Sequence, residues 1–157
     1  MSIVVGENSY SNVADADAYF AARDVASWSA ATNAAREAAL LQATAYLDGH
    51  YDWVGVLADT DQLLGWPRHG ATDGEGRLVE GIPARIRAAC AEIALAALKE
   101  DIAPTLHRGG KVSSESVGDV SIQYAEDAPV GKTFPYVDLL LKGLFRAPST
   151  AVQVRRI

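Results

Sequence analysis

Leu40, Ala43 and Leu47 fall on one face of a 3.6-residue repeat while Arg36, Gln42 and Asp48 point elsewhere; Ile86, Cys90, Ile93 and Ala97 form a second stripe later in the chain. These stripes predict two long amphipathic helices. Thr32 is the expected cap of the first and Gly49 its closing residue, while Pro83 opens the second and Pro104 ends it. Upstream, Asn12 followed by Asp15 predicts a short capped helix running to about Arg23 and burying Tyr19 and Phe20. Between the long helices, Asp59 or Thr60 is placed to cap a single turn ending at Gly65, which Pro67 stops.

The pattern changes after the second long helix. Lys111 to Val117 and Val120 to Tyr124 read as two strands joined at Gly118-Asp119, with Val120, Ile122 and Tyr124 alternating onto one face. An isolated hairpin is marginal in water, so this one needs the helices or a neighbouring subunit to lean on. Thr133 then caps a last helix with Pro135 in its first turn and Val137, Leu140, Leu141 and Leu144 on its apolar side. The fold class expected is mainly α: a small helical bundle with a β-hairpin insertion (about 111–124) and an extended C-terminal tail. Residues 1–145 make one helical domain and 146–157 a separate arm in which Val152, Val154 and Ile157 alternate as an extended strand would.

Composition refines this picture without changing it. The chain has 157 residues, 49% hydrophobic and 22% charged, enough for one core that buries about two-thirds of the unfolded surface. Its longest strongly apolar stretch, Ala88 to Leu98, is interrupted by Glu92 and falls short of the roughly 20 apolar residues a bilayer span requires. No secretory leader is legible at the N-terminus, and Cys90 has no second cysteine to pair with. Alanine dominates both long helices, so Leu40, Leu47, Ile86, Ile93, Tyr19 and Phe20 are the expected core. The alanines fit either close contact between identical subunits or plain helix propensity.

Formal net charge is -6 and unevenly spread: residues 1–100 hold seven Lys/Arg against fourteen Asp/Glu, whereas residues 101–157 hold seven against six. A strand or duplex binder draws most of its affinity from phosphate neutralisation and presents a basic face. The only basic excess here is Arg146, Arg155 and Arg156 at the C-terminal end.

Candidate chemistry is sparse. His50, His69 and His107 lack metal-ligand spacing and a partner cysteine pair, so no metal is expected. Cys90 lies on a buried stripe and reads as a core thiol. Asp59, Asp61, Asp73 and Glu75 decorate loops without a calcium-loop pattern, and Gly109-Gly110-Lys111 lacks the earlier glycine and the following helix of a phosphate loop. No catalytic residue and no cofactor is expected. Trp28, Tyr46, Tyr51 and Trp53 are either a base-stacking platform or packing around a helix end, with packing preferred. Trp66, between Gly65 and Pro67, either plugs its loop onto the core or anchors a partner; Arg68 either bridges carboxylates at a subunit boundary or caps a carbonyl.

Taken in order, several of these pieces form a pattern. An alanine-rich helix closes on Tyr46-Leu47-Asp48; Tyr51-Asp52-Trp53, Gly65-Trp66-Pro67-Arg68 and Ile82-Pro83 follow; Ala14-Asp15-Ala16-Asp17-Ala18-Tyr19-Phe20-Ala21-Ala22-Arg23 precedes them, and a glycine-flanked hairpin and short helix come after Gly109. This arrangement, covering nearly the whole chain, resembles the phage head-tail connector (adaptor) proteins, a group also labelled DnaT-like single-stranded-DNA-binding protein. The resemblance implies a non-catalytic ring, twelve subunits by analogy with the portal, whose contacts are heterologous and which extends the DNA channel. Implied partners are the portal protein, a stopper or tail-terminator neck protein, further copies of the chain, and genomic DNA passing through without sequence-specific binding; no membrane is involved. The implied location is the virion neck, and the host cytoplasm during assembly. Within this frame Trp66 and Arg68 become subunit-interface candidates, and Arg146, Val152, Val154, Arg155, Arg156 and Ile157 a portal-docking arm. The alternative is a single-stranded-DNA-binding protein of replication or recombination, and against it stands the lack of a basic groove.

Overall fold

The computed structural model describes residues 2–103, 114–117, 120–123 and 132–146. Five helices and four short strands follow in chain order within them: α1 Val13–Ala21, α2 Ala26–Ser29, α3 Asn33–His50, β1 Val56–Leu57, β2 Arg68–His69, α4 Ala84–Ala97, β3 Ser114–Val117, β4 Val120–Gln123 and α5 Pro135–Leu140. The expected class is what is found: a mainly helical fold with a hairpin inserted between α4 and α5. Among the described residues no helix is long and apolar enough to cross a membrane.

Capping chemistry sets the helix starts. The Asn12 side chain accepts from the Asp15 amide and that of Thr32 from the Ala35 amide, each satisfying an otherwise orphaned first-turn N–H. Pro83 sits at the cap of α4, where its missing N–H costs nothing. α3 packs lengthwise against α4, and α4 also meets α1 and α5. Ala39, Ala43, Ala89, Ala91 and Ala94 are buried among Leu40, Leu47, Ile86 and Ile93, so these alanines serve the packing of the chain's own helices. Thr44, also buried on α3, donates to the Leu40 carbonyl and accepts from the Tyr10 amide, tying the N-terminal segment to the core. Cys90 lies in the same core, its thiol pushed up to about 11 by burial.

Several boundaries differ from expectation. α1 stops at Ala21, and α3 runs through Gly49 to His50, where the extended conformation of Tyr51 ends it. α4 stops at Ala97, well before Pro104, and the turn beyond it closes with Lys99 and Glu100 both donating to the Ala96 carbonyl. Phe134, not Thr133, caps α5, which is so short that Leu141 and Leu144 are buried from the turn beyond it. Tyr19 is half-buried, because its hydroxyl donates to Glu92 while Arg23 lies over its ring. The four-residue helix α2 was not foreseen; it buries Trp28, whose indole donates to Asp17.

The hairpin pairs antiparallel with Val117 opposite Val120 and Ser114 opposite Gln123. Pro104, His107, the Gly109-Gly110-Lys111 run, the ends of the expected strands at Lys111 and Tyr124, the Gly118-Asp119 turn and the arm from 147 to 157 lie outside the described residues.

Candidate functional site

The stretch from Tyr51 to Ala71, expected to hold a helical turn, instead forms a two-stranded ribbon. β1 pairs antiparallel with β2, Val56 opposite His69 and Leu57 opposite Arg68, and the Ala58 amide extends the ladder to the Pro67 carbonyl. Gly55, at φ +78, permits the turn into β1: a Cβ there would lie 2.6 Å from the His69 carbonyl oxygen. The ladder is too short to hold itself together, so side chains complete it.

Asp48, in the last turn of α3, organises the base of the ribbon. Its Oδ1 accepts from the Tyr10 hydroxyl and from Trp53 Nε1 (3.1 Å), and its Oδ2 from the Gly65 amide (2.9 Å). The Tyr10 oxygen in turn accepts from the Trp66 amide at 3.2 Å. Burial, reinforced by Asp48, raises the Tyr10 phenol pKa well above its ordinary value, which keeps it a donor. Gly65 leaves no room for a side chain: a Cβ would stand 2.6 Å from Asp48 Oδ1 and 2.7 Å from the Trp53 ring. Trp66 is 0% exposed, edge-on to Trp53, and plugs the connection into the core. Arg68 directs its fork at backbone: Nε to Val54 O (2.7 Å), Nη1 to Gly65 O (3.0 Å) and Nη2 to Gly55 O (2.9 Å).

This scaffold leaves aliphatic side chains exposed on both faces of β1 and at the loop tip. Leu63 is 87% exposed at the loop tip and Val56 65% exposed on β1, with Leu57 beside it and Asp59 and Asp61 between them in sequence. The tip is braced: Gln62 Oε1 accepts from the Asp59 amide while Nε2 donates to the Leu64 and Pro67 carbonyls, and Asp59 Oδ1 accepts from the Asp61 amide. Aliphatic side chains held outward on a braced loop suit docking to another protein surface.

The expected site residues are thus placed apart. Trp66 has no surface for a neighbouring subunit, and each of the three Arg68 nitrogens donates to a carbonyl of its own chain. Arg146 lies against the body, its amide donating to the Asp52 carbonyl (2.7 Å) and its guanidinium 3.2 Å from the Asp52 carboxylate. Val152, Val154, Arg155, Arg156 and Ile157 lie outside the described residues. Trp28, Tyr51 and Trp53 are buried, and Tyr46 donates to the Lys132 carbonyl while its ring stacks on His50. These aromatics pack around helix ends and form no open stacking platform. Among the described residues no three His, Cys, Asp or Glu side chains gather as a metal site.

Cations are distributed in the same economical way. Arg36, Arg77, Arg87, Lys132 and Arg146 each stand within 4.0 Å of a carboxylate. Arg85, Lys99 and Lys142 have no carboxylate partner among the described residues. Sequence reasoning did not single out Arg85 and Lys142, which the fold brings to one groove, nor Leu63 and Leu139, which carry no chemical signal until their exposure is known.

Residues 2–157 match the family described as "Putative DnaT-like ssDNA binding protein". The chain belongs to this family. The match spans the Tyr10–Asp48–Gly65 stitch and the Arg68 clamp alike, so the features just described are features of a family member. No curated protein and no solved structure matches the chain.

Proposed function

We propose that this chain is an assembly module, a head-tail adaptor of a tailed phage that adds to the portal as a ring, extends the DNA channel and offers a platform to the next neck or tail protein. The observation that carries this reading is the division of labour in the ribbon. Aromatic and cationic groups are drawn inward, onto Asp48 and backbone carbonyls, while aliphatic side chains face out on a braced loop. A protein-docking surface is built that way; a strand-binding one is built the other way round. An acidic body also suits a wall past which DNA slides without adhering. In this reading the ring has about twelve subunits by analogy with the portal, its contacts closing heterologously, and residues 147–157, beyond the Arg146–Asp52 anchor, form the portal-docking arm.

Low-dose imaging of particles from a producing strain with the gene disrupted tests the proposal. Filled heads lacking tails are expected; normal tailed particles would overturn it. Deleting residues 147–157 should leave helicity and thermal stability nearly intact while abolishing incorporation, and normal incorporation would remove the docking role of the arm.

The family description favours a second reading, single-stranded-DNA binding in replication or recombination, and backs it more directly than it backs a connector. Titrating oligo-dT against tryptophan fluorescence separates the two. With a formal net charge of -6, binding should be weak and lost by about 200 mM salt. Saturable submicromolar binding that survives such salt would make strand binding the function.

A further inference from the structure

Among the described residues seven large hydrophobic side chains are exposed, and five of them belong to two elements. One is the ribbon surface, Val56, Leu57 and Leu63, accompanied by exposed Asp59 and Asp61. The other is Tyr136 and Leu139, three residues apart on one side of α5, with Leu139 70% exposed. Leu139 and Leu140 line a groove of about 560 Å³ whose rim carries Arg77, Arg85 and Lys142. Asp73 and Glu75 also border it, but both face Arg77, at 2.8 and 3.9 Å. Arg85 and Lys142 are left exposed without a carboxylate partner among the described residues, Arg85 donating only to the Lys142 carbonyl at 3.5 Å.

We infer that the ribbon tip of one copy seats in the α5 groove of a second copy. Each carries exposed aliphatic side chains, and the uncompensated charges beside them are opposite in sign: Asp59 and Asp61 on the ribbon, Arg85 and Lys142 at the groove. Tip-to-tip pairing would set Asp59 and Asp61 against their own counterparts, and groove-to-groove pairing would do the same with Arg85 and Lys142, at a cost of several kcal/mol for like charges in an interface. The contact is therefore heterologous, joining unlike surfaces so that copies follow one another head to tail. Both halves are pre-shaped. Gln62 and Arg68 hold the tip, and Gly143 at φ +88 seats the end of α5 on the Gly74 turn, where a Cβ would lie 2.9 Å from the Gly74 amide nitrogen. Preformed surfaces lose little conformational freedom on docking. The inference rests on the assembly reading and supplies the surface by which subunits of such a ring would meet.

Leu63→Cys and Leu139→Cys are made separately, Cys90 being buried and thus protected from the oxidant. Full-length variants are oxidised alone and mixed, on the order of 1 mM, where a contact of about 4 kcal/mol is half-occupied. The mixture should give a disulfide dimer containing one chain of each kind, at least tenfold above either variant alone. Symmetric dimers from one variant alone, or no dimer in the mixture, would overturn the contact. As a second measurement, sedimentation should show Asp59→Lys with Asp61→Lys weakening self-association about tenfold, with recovery when the partner carries Arg85→Glu and Lys142→Glu; absence of recovery also overturns it. Cross-linking together with normal particles after gene disruption would keep the contact and discard the adaptor; tailless heads without cross-linking would do the reverse.

Discussion

The α3–α4 pair and the 51–71 connection share one core and are held by different forces. In the helix pair, Leu40, Leu47, Ile86 and Ile93 are buried among small alanines, and backbone groups between the end turns find their partners inside their own helix. Burial there is non-directional and spread over many side chains, at about 25 cal/mol per Å². The connection has only a two-residue ladder, so its buried carbonyls and amides must find side chains. Asp48 accepts three bonds and Arg68 donates three. The helices are thus robust to many small changes, whereas the connection depends on a few residues that each hold several groups at once.

The most damaging way to test this contrast is Trp66→Ala. Trp66 is the point where the connection enters the common core, and removing a fully buried indole should cost about 3–5 kcal/mol. Leu47→Ala, in the helix pair, should cost about 2–5 kcal/mol. Urea unfolding of both variants checks this. A Trp66→Ala loss under about 1 kcal/mol would mean that the connection folds independently of the helices.

Arg68→Lys should come next, at about 2–3 kcal/mol, because an ammonium cannot reach three carbonyls arranged for a planar fork. The effect should be local as well as global: faster amide exchange at Ala58, whose N–H reaches Pro67 across the ribbon, with little change at Ala94 in α4. Unchanged exchange at Ala58 would show that the short ladder holds without the clamp.

The same contrast explains what the sequence revealed. Asn12 and Thr32 announce helix starts because a cap is a local bond between near neighbours, and the Leu40–Ala43–Leu47 stripe announces a buried face because periodicity is local too. The ribbon was missed because two-residue strands have no period, and because Asp48 and Arg68 act on groups that are remote in sequence or featureless backbone. Trp66 as a core plug was legible from its rigid neighbours. Exposure of Leu63 and Leu139 was not, since an isolated leucine reads the same inside and outside. The hairpin was legible in type and place, with Val117 opposite Val120 across the turn at Gly118-Asp119 that the sequence marks.

Alkaline pH acts on the connection through its phenols. Burial raises the pKa of Tyr10 and Tyr51 above the ordinary 10.0, helped by Asp48 and Asp138, and raises that of Cys90 from 9.0 to about 11. The folded state therefore holds these protons more tightly than the unfolded chain. Their contribution is fully present below the unfolded values and falls as pH rises, so stability should begin to decline near pH 9 and steepen above pH 10. Tyr10→Phe should cost about 1–2 kcal/mol at neutral pH, through the bond lost to Asp48, and should flatten the alkaline slope. A slope unchanged by Tyr10→Phe would place the alkaline loss elsewhere.

Leu63→Ser should change stability least of all, within about 0.5 kcal/mol, and for a reason that separates the tip of the connection from its base. Gln62 and the ribbon bonds hold the tip through backbone and amide groups, and the Leu63 side chain takes no part in them. At 87% exposure it has almost no apolar contact to lose. Yet the same substitution removes the aliphatic centre of the surface proposed to meet a second copy, so association should weaken while the urea midpoint stays in place. A loss above about 1 kcal/mol would show that Leu63 packs on its own subunit and that the tip belongs with the base. Unchanged stability with unchanged association would leave the tip exposed but deprive it of its proposed partner.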